Sequence, residues 1–252
     1  MIATPMRGLL PLTISQARLY LREPMATFFT ILFAPLLLVL FGLIYGNEPN
    51  AMFGGRGSMD ATVPAYIGLV IVTVGLIGIP IQTATNRELG ILRRYRATPL
   101  RPLTYLVADV VTYYAMCVVG VAILIGVGAL AFGVRLEGNP ISVLAGLSLS
   151  SLSFFALGYV LASVAPTARV AQTVGMVVAY PMMFLSGASI PLESLPAGVR
   201  QLADFIPLTY VVKLMRGLWV GDSWGSLAPE VAVLVAILVV AGVIAARVFR
   251  WE

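Results

Sequence analysis

Five arginines, Arg87, Arg93, Arg94, Arg96 and Arg101, fall within residues 86–106 and share that stretch with one acid, Glu88. A guanidinium is a permanently charged planar donor, so such a cluster can grip phosphate or carboxylate oxygens, or hold a loop on one side of a membrane. Other reactive side chains are scarce: the 252 residues contain no histidine, one lysine (Lys213) and one cysteine (Cys117). Histidine-based acid–base catalysis, Ser-His pairs and histidine metal sites are thereby excluded. The cluster Ser186-Gly187-Ala188-Ser189 would have to recruit Lys213 as its base, and a phosphate loop of the form G-x-x-x-x-G-K-[ST] is missing, because Lys213 is followed by Leu214. Neither a catalytic residue nor a metal ligand set is expected, and Cys117, inside an apolar run, reads as a small buried hydrophobe.

The elements that must carry these arginines are set by composition. Sixty per cent of the residues are hydrophobic and 11% charged, against about 25% charged in an ordinary globular domain; mean hydropathy is +0.97. This is an integral membrane protein. The basic balance, +5 overall, does not indicate nucleic acid, because the arginines occupy short gaps between apolar runs instead of an extended solvated face. Six runs approach the roughly 20 residues that a helix needs to cross a hydrocarbon core: 25–45, 63–83, 105–132, 141–164, 170–190 and 228–248. The expected fold is all-α, with six transmembrane helices: an interfacial helix within 1–24, spans one to five within 25–190, a distinct external element at 191–227, and span six with its tail at 228–252. Arg7, Arg18 and Arg22 precede a first run of spanning length, which reads as an anchor and not as a cleavable signal.

Six spans place eleven of the sixteen positive residues on one side: Arg7, Arg18, Arg22, the five of the loop, Arg169, Arg247 and Arg250. Both ends of the sequence are therefore expected in the cytoplasm. Read as a helix from Arg87, the loop sets Glu88, Ile91, Leu92 and Tyr95 on one face until Pro99 and Pro102 stop it. A basic loop can simply fix topology and bind anionic headgroups, or it can meet a partner. Near the N-terminus, Ile14, Ala17 and Leu21 share a face opposite Arg18 and Arg22, as in a helix lying in the interface, whether as an anchor or as a partner contact. Asp109, four residues into the third run, is the one acid that suggests a proton path, with a structural role at the membrane edge as the alternative.

Two stretches resemble ABC-2 type exporter permeases. One is Asn86-Arg87-Glu88-Leu89-Gly90-Ile91-Leu92-Arg93-Arg94-Tyr95-Arg96-Ala97-Thr98-Pro99-Leu100. The other contains Val164-Ala165-Pro166, Phe184-Leu185-Ser186-Gly187, Ile190-Pro191-Leu192-Glu193-Ser194-Leu195-Pro196 and Ile206-Pro207-Leu208-Thr209-Tyr210. The resemblance implies a non-catalytic transmembrane subunit that pairs with a second copy or a related permease, and is served by a separate ATPase that binds the ATP and magnesium. It makes the loop a coupling helix, with Arg87, Glu88, Gly90, Leu92, Arg93, Arg94, Tyr95 and Arg96 meeting the ATPase. It also turns residues 191–227 into an external re-entrant pair, one helix with Leu195, Val199, Leu202 and Ile206 on its apolar face and a second with Val211, Leu214, Met215 and Leu218.

The same resemblance places spans two and five along the cargo path. Pro80 and Pro181 can kink them, and Gln82, Thr83, Gln172, Thr173, Tyr180, Met183 and Phe184 are the nearby candidates for lining it; polar residues of this kind also serve as helix–helix glue. Lipophilic drugs or lipid-like molecules are the expected cargo, moved out through the cell membrane. A secondary transporter or channel without an ATPase is the rival reading. With Cys117→Ser as background, single cysteines at positions 55, 137 and 197 are expected to react with a membrane-impermeant maleimide on intact cells, and one at position 95 only after permeabilisation. External labelling at position 95 overturns the topology.

Overall fold

The computed structural model describes residues 9–49, 55, 57–91, 102–189, 192 and 196–248. Six helices are long and apolar enough to cross a membrane: Phe28–Tyr45, Ser58–Glu88, Thr104–Phe132, Pro140–Val164, Ala168–Leu185 and Ala228–Val248. They are called spans one to six. An amphipathic helix, Leu9–Arg22, precedes them, and two shorter helices, Ala197–Ala203 and Pro207–Val220, separate spans five and six. Among the described residues there is no strand, only an isolated bridge between Pro49 and Gly57. The chain is thus a multi-pass α-helical membrane protein.

Span two is the hub. Every residue from Val63 to Leu76 is buried, because spans one, three, four and five and the helix Pro207–Val220 surround it. An all-round apolar helix has no preferred face, so it can be enclosed on every side at no polar cost. Two spans contain a π-helical segment, Phe28–Leu32 in span one and Thr73–Gly78 in span two. In the latter, Ile79 N–H reaches back to the Val74 carbonyl. The irregularity expected at Pro80 is therefore a wide turn just before it, where a proline has no N–H to return to the carbonyl four residues earlier.

At that turn the backbones of three spans touch. A Cβ on Gly158 of span four would collide with the Gly75 carbonyl, one on Gly175 of span five would collide with the Leu76 carbonyl, and Gly75 itself lies against Phe154. Small residues permit the close approach on which helix association in lipid depends. Ser153 adds a hydrogen bond from span four to the Leu234 carbonyl of span six (2.9 Å).

The opposite end of span two is capped from outside. Its own N-cap residue is Gly57, which has no side chain to offer. Asn47 supplies the cap, its Oδ1 accepting from Met59 N (2.9 Å) and Asp60 N (3.3 Å) while its Nδ2 donates to the Phe132 carbonyl (3.0 Å). One side chain thereby joins the ends of spans one, two and three.

Two amphipathic helices pack against the bundle through only part of their surface. In the helix Leu9–Arg22 the face packed against the bundle is Leu12 and Tyr20, while Ile14 and Leu21 stay exposed. The helix has three sectors, one against span three, one apolar and outward, and one basic with Arg18 and Arg22, which suits an interface. In Ala197–Ala203 it is Ala203 that is buried, with Leu202 exposed. The Thr209 hydroxyl bonds to the Ala203 carbonyl (2.7 Å), so the turn between the two helices is what docks. The face Val211, Leu214, Met215 and Leu218 of the next helix is buried as expected.

Gly158→Ala is expected to lower stability in detergent by about 2 kcal/mol or more, because the obstacle is backbone and cannot rotate away. Gly242→Ala, where a Cβ meets nothing within 4 Å, is expected to be neutral or slightly stabilising. Thermal unfolding of the two variants checks the contrast.

Candidate functional site at the end of span two

Span two continues as helix to Glu88, past the expected limit of 83, and then turns at Leu89 and Gly90, whose φ is +68°. Gly90 N–H bonds to the Arg87 carbonyl (3.0 Å). A left-handed residue after the last turn ends a helix, and glycine adopts it without Cβ strain. The helix expected to start at Arg87 is therefore divided: Arg87 and Glu88 belong to span two, and Ile91 lies beyond the turn. Leu92, Arg93, Arg94, Tyr95 and Arg96 lie outside the described residues. Gly90 itself has nothing within 4 Å of a Cβ position, so conformational freedom is its role within this chain.

The last three residues of span two reach three different spans. Asn86, positioned by Gln82 (3.1 Å), donates to the Tyr105 hydroxyl of span three (3.1 Å). The Arg87 guanidinium donates to the carbonyls of Ala162 (3.1 Å) and Ala165 at the end of span four. Glu88 Oε1 accepts from Ala168 N–H (3.0 Å), the first amide of span five. Each bond answers a local deficit. Pro166 stands four residues after Ala162 and has no N–H for its carbonyl, so Arg87 provides the missing donor. Thr167 caps span five through Val170 N–H, leaving Ala168 N–H for Glu88. Cation at a helix C-terminus and anion at a helix N-terminus also match the two helix dipoles. The spacing of Ala162 and Pro166 was the available sign that an external donor was needed.

Beside this corner is a cavity of about 50 Å³ with a mixed lining that includes Gln16, Leu19, Tyr20, Asn86, Asp109 and Tyr113. Asp109 is buried, and its Oδ2 accepts from the Tyr159 hydroxyl of span four (2.7 Å). Its expected place at the watery edge becomes a position inside the bundle, because the helix Leu9–Arg22 covers span three there. Tyr20, on that covering helix, bonds through its hydroxyl to Thr30 (2.5 Å) and stands edge-on to Tyr113 at 5.7 Å. Burial pushes the Tyr20 phenol up to about 12 against a smaller opposing effect of the Thr30 bond. It stays a neutral strut between the interfacial helix and span one.

The candidate path residues do not form one group within this chain. Gln82 faces the cavity, Thr83 and Met183 are buried, and Gln172, Thr173, Tyr180 and Phe184 are exposed along the outer side of span five. Among the described residues no group of three His, Cys, Asp or Glu could hold a metal ion.

A family model for the ABC-2 type transporter matches residues 9–219. The chain belongs to the ABC-2 type transporter family. Its relatives include nodulation protein J of Rhizobium leguminosarum bv. viciae, 30% identical over 104 residues (41% of this chain and 40% of that protein). Another is the daunorubicin resistance ABC transporter permease protein DrrB1 of Streptomyces coeruleorubidus, 25% identical over 198 residues (74% of this chain and 68% of that one). The matched stretch covers less than half of nodulation protein J in the bv. viciae and bv. trifolii relatives alike. In this ABC-2 chain the two resembling stretches meet in space: Arg87 and Glu88 of the first hold the Ala162–Ala168 turn of the second.

Tyr159→Phe strands the Asp109 carboxyl and is expected to cost about 2 kcal/mol, the penalty for a buried polar group without its partner. Asp109→Asn keeps an acceptor for Tyr159 and is expected to cost less. Melting curves of the two variants in the same detergent give the comparison.

Proposed function

We infer that this ABC-2 chain is the transmembrane subunit of an ATP-driven exporter, working with a separate P-loop ATPase and with a second copy or a related permease. The observation that carries this reading is the family match across residues 9–219. A sequence without a phosphate loop of its own, and relatives named as an ABC transporter permease, agree with it. The arginine-rich side is then cytoplasmic in the cell membrane, and the loop through Leu92, Arg93, Arg94, Tyr95 and Arg96 docks into the ATPase. The helices Ala197–Ala203 and Pro207–Val220 form the external re-entrant pair.

The exposed side chains of span five fit a path completed by the second permease. Gln172 and Tyr180 present polar groups on a face that lipid alone would leave unsatisfied, whereas a neighbouring subunit can pair with them or leave a lined channel between; Thr173 beside them already donates to the Arg169 carbonyl (3.0 Å). With Val170, Val174, Val177 and Phe184 also exposed on span five, the surface is mixed and more apolar than polar, which suits lipophilic cargo such as drugs or lipid-like molecules.

The purified chain is expected to hydrolyse no ATP. Co-expressed with a P-loop ATPase encoded in an adjacent reading frame, it is expected to copurify with that protein and to support ATP-dependent accumulation of a fluorescent lipophilic dye in inverted vesicles. Dye transport driven by an ion gradient in vesicles lacking any ATPase sinks the reading.

A further inference from the structure

We propose that Arg87 and Glu88 are positioning residues that clasp the end of span two to the turn between spans four and five, so that movement of the loop after span two is delivered to span five. The inference rests on the exporter reading above and gives that loop a mechanical route to the cargo path.

The route follows from how the bonds are distributed. Residues 89–101 join Glu88 at the end of span two to the helix that begins at Pro102, so a displacement imposed on that loop acts on span two's last turn as well as on the start of span three. A lone helix end would absorb the displacement by fraying, since terminal turns lack part of their hydrogen bonding. Here the last turn is bound on two sides at once, through Arg87 to the Ala162 and Ala165 carbonyls and through Glu88 to Ala168 N–H. The bonds are charge-assisted and directed at opposite helix ends, so a pull on span two draws the end of span four and the start of span five together. Span five is then a stiff lever. Its near end is held by Glu88, its middle rests at Gly175 on the Leu76 carbonyl of span two, and its outer side carries Gln172, Thr173 and Tyr180.

Both side chains already direct bonds within the chain. Arg87 is already committed to two backbone carbonyls, and the Glu88 oxygen to an amide. Loss of the clasp should therefore leave capture of the ATPase intact and remove the consequence of capture. That outcome separates a positioning role from a docking role.

The test uses the full chain with Glu88→Ala, Glu88→Gln, Arg87→Ala and Arg87→Lys. The first arm needs no partner: in detergent, amide exchange at Ala168 is expected to rise about tenfold or more in Glu88→Ala, the equivalent of losing a hydrogen bond to a charged group. In Glu88→Gln, whose amide oxygen still accepts, it is expected to stay near the wild-type rate. The second arm places a reporter cysteine at Tyr180 in the Cys117→Ser background and measures its maleimide labelling with the copurified ATPase, with and without ATP plus vanadate. The labelling rate is expected to change with nucleotide in the wild type and in Glu88→Gln, and to be insensitive to it in Glu88→Ala and Arg87→Ala, although both still copurify the ATPase. Arg87→Lys, a single-point donor, is expected to fall between.

Unchanged exchange in Glu88→Ala overturns the clasp itself. Raised exchange with a normal nucleotide response at position 180 overturns its role in transmission, and loss of ATPase capture in Glu88→Ala assigns that residue to docking. A wild-type chain that captures no ATPase overturns the exporter reading, and the transmission role with it, while the exchange arm still reports on the clasp.

Discussion

A helix that ends near or within a membrane leaves backbone donors and acceptors that water satisfies poorly, and much of this fold can be understood as the supply of partners for them. Span two is central to that supply at both ends. At one end its first amides take Asn47 from the neighbouring segment because Gly57 has nothing to give. At the other, its own last side chains provide for spans three, four and five. The hub is held by directed bonds at its ends and by close glycine contacts at its middle, where hydrophobic driving force between helices is weak in lipid.

This arrangement concentrates mechanical connection in one helix. Spans three, four and five all meet span two at its final turn, the point where the arginine-rich loop departs. The interfacial helix closes the same corner from the side, with Tyr20 bonded to Thr30 and Thr112 within 3.4 Å of Gln16. The polar corner at residues 86–88 ties the point where that loop departs to three other helices.

How much was legible in the sequence depended on whether the relevant signal was local. Span number followed from run length alone, and the buried face of Pro207–Val220 followed from helical spacing, since an amphipathic segment announces which side avoids water. Leu202 and Ile14 show the limit of that inference. Both lie on apolar helical faces, yet both are exposed, because in a membrane protein an apolar face can meet lipid as readily as protein and periodicity does not distinguish the two.

The sequence by itself determined that the chain is an all-α membrane protein with its positive charge gathered on one side, since hydropathy over about 20 residues and the placement of arginines need no knowledge of neighbours. It also singled out Arg87 and Glu88 in one stretch and Val164-Ala165-Pro166 in another, without joining them. Only the tertiary structure decided that these belong together, that Asp109 is paired with Tyr159, and that Gly158 and Gly175 seat against the carbonyls of span two. Those pairings join residues far apart in the chain, and nothing in local composition fixes which helix end will lie beside which. Packing of the six spans chooses the neighbours, and the unsatisfied backbone groups then select the side chains that complete them.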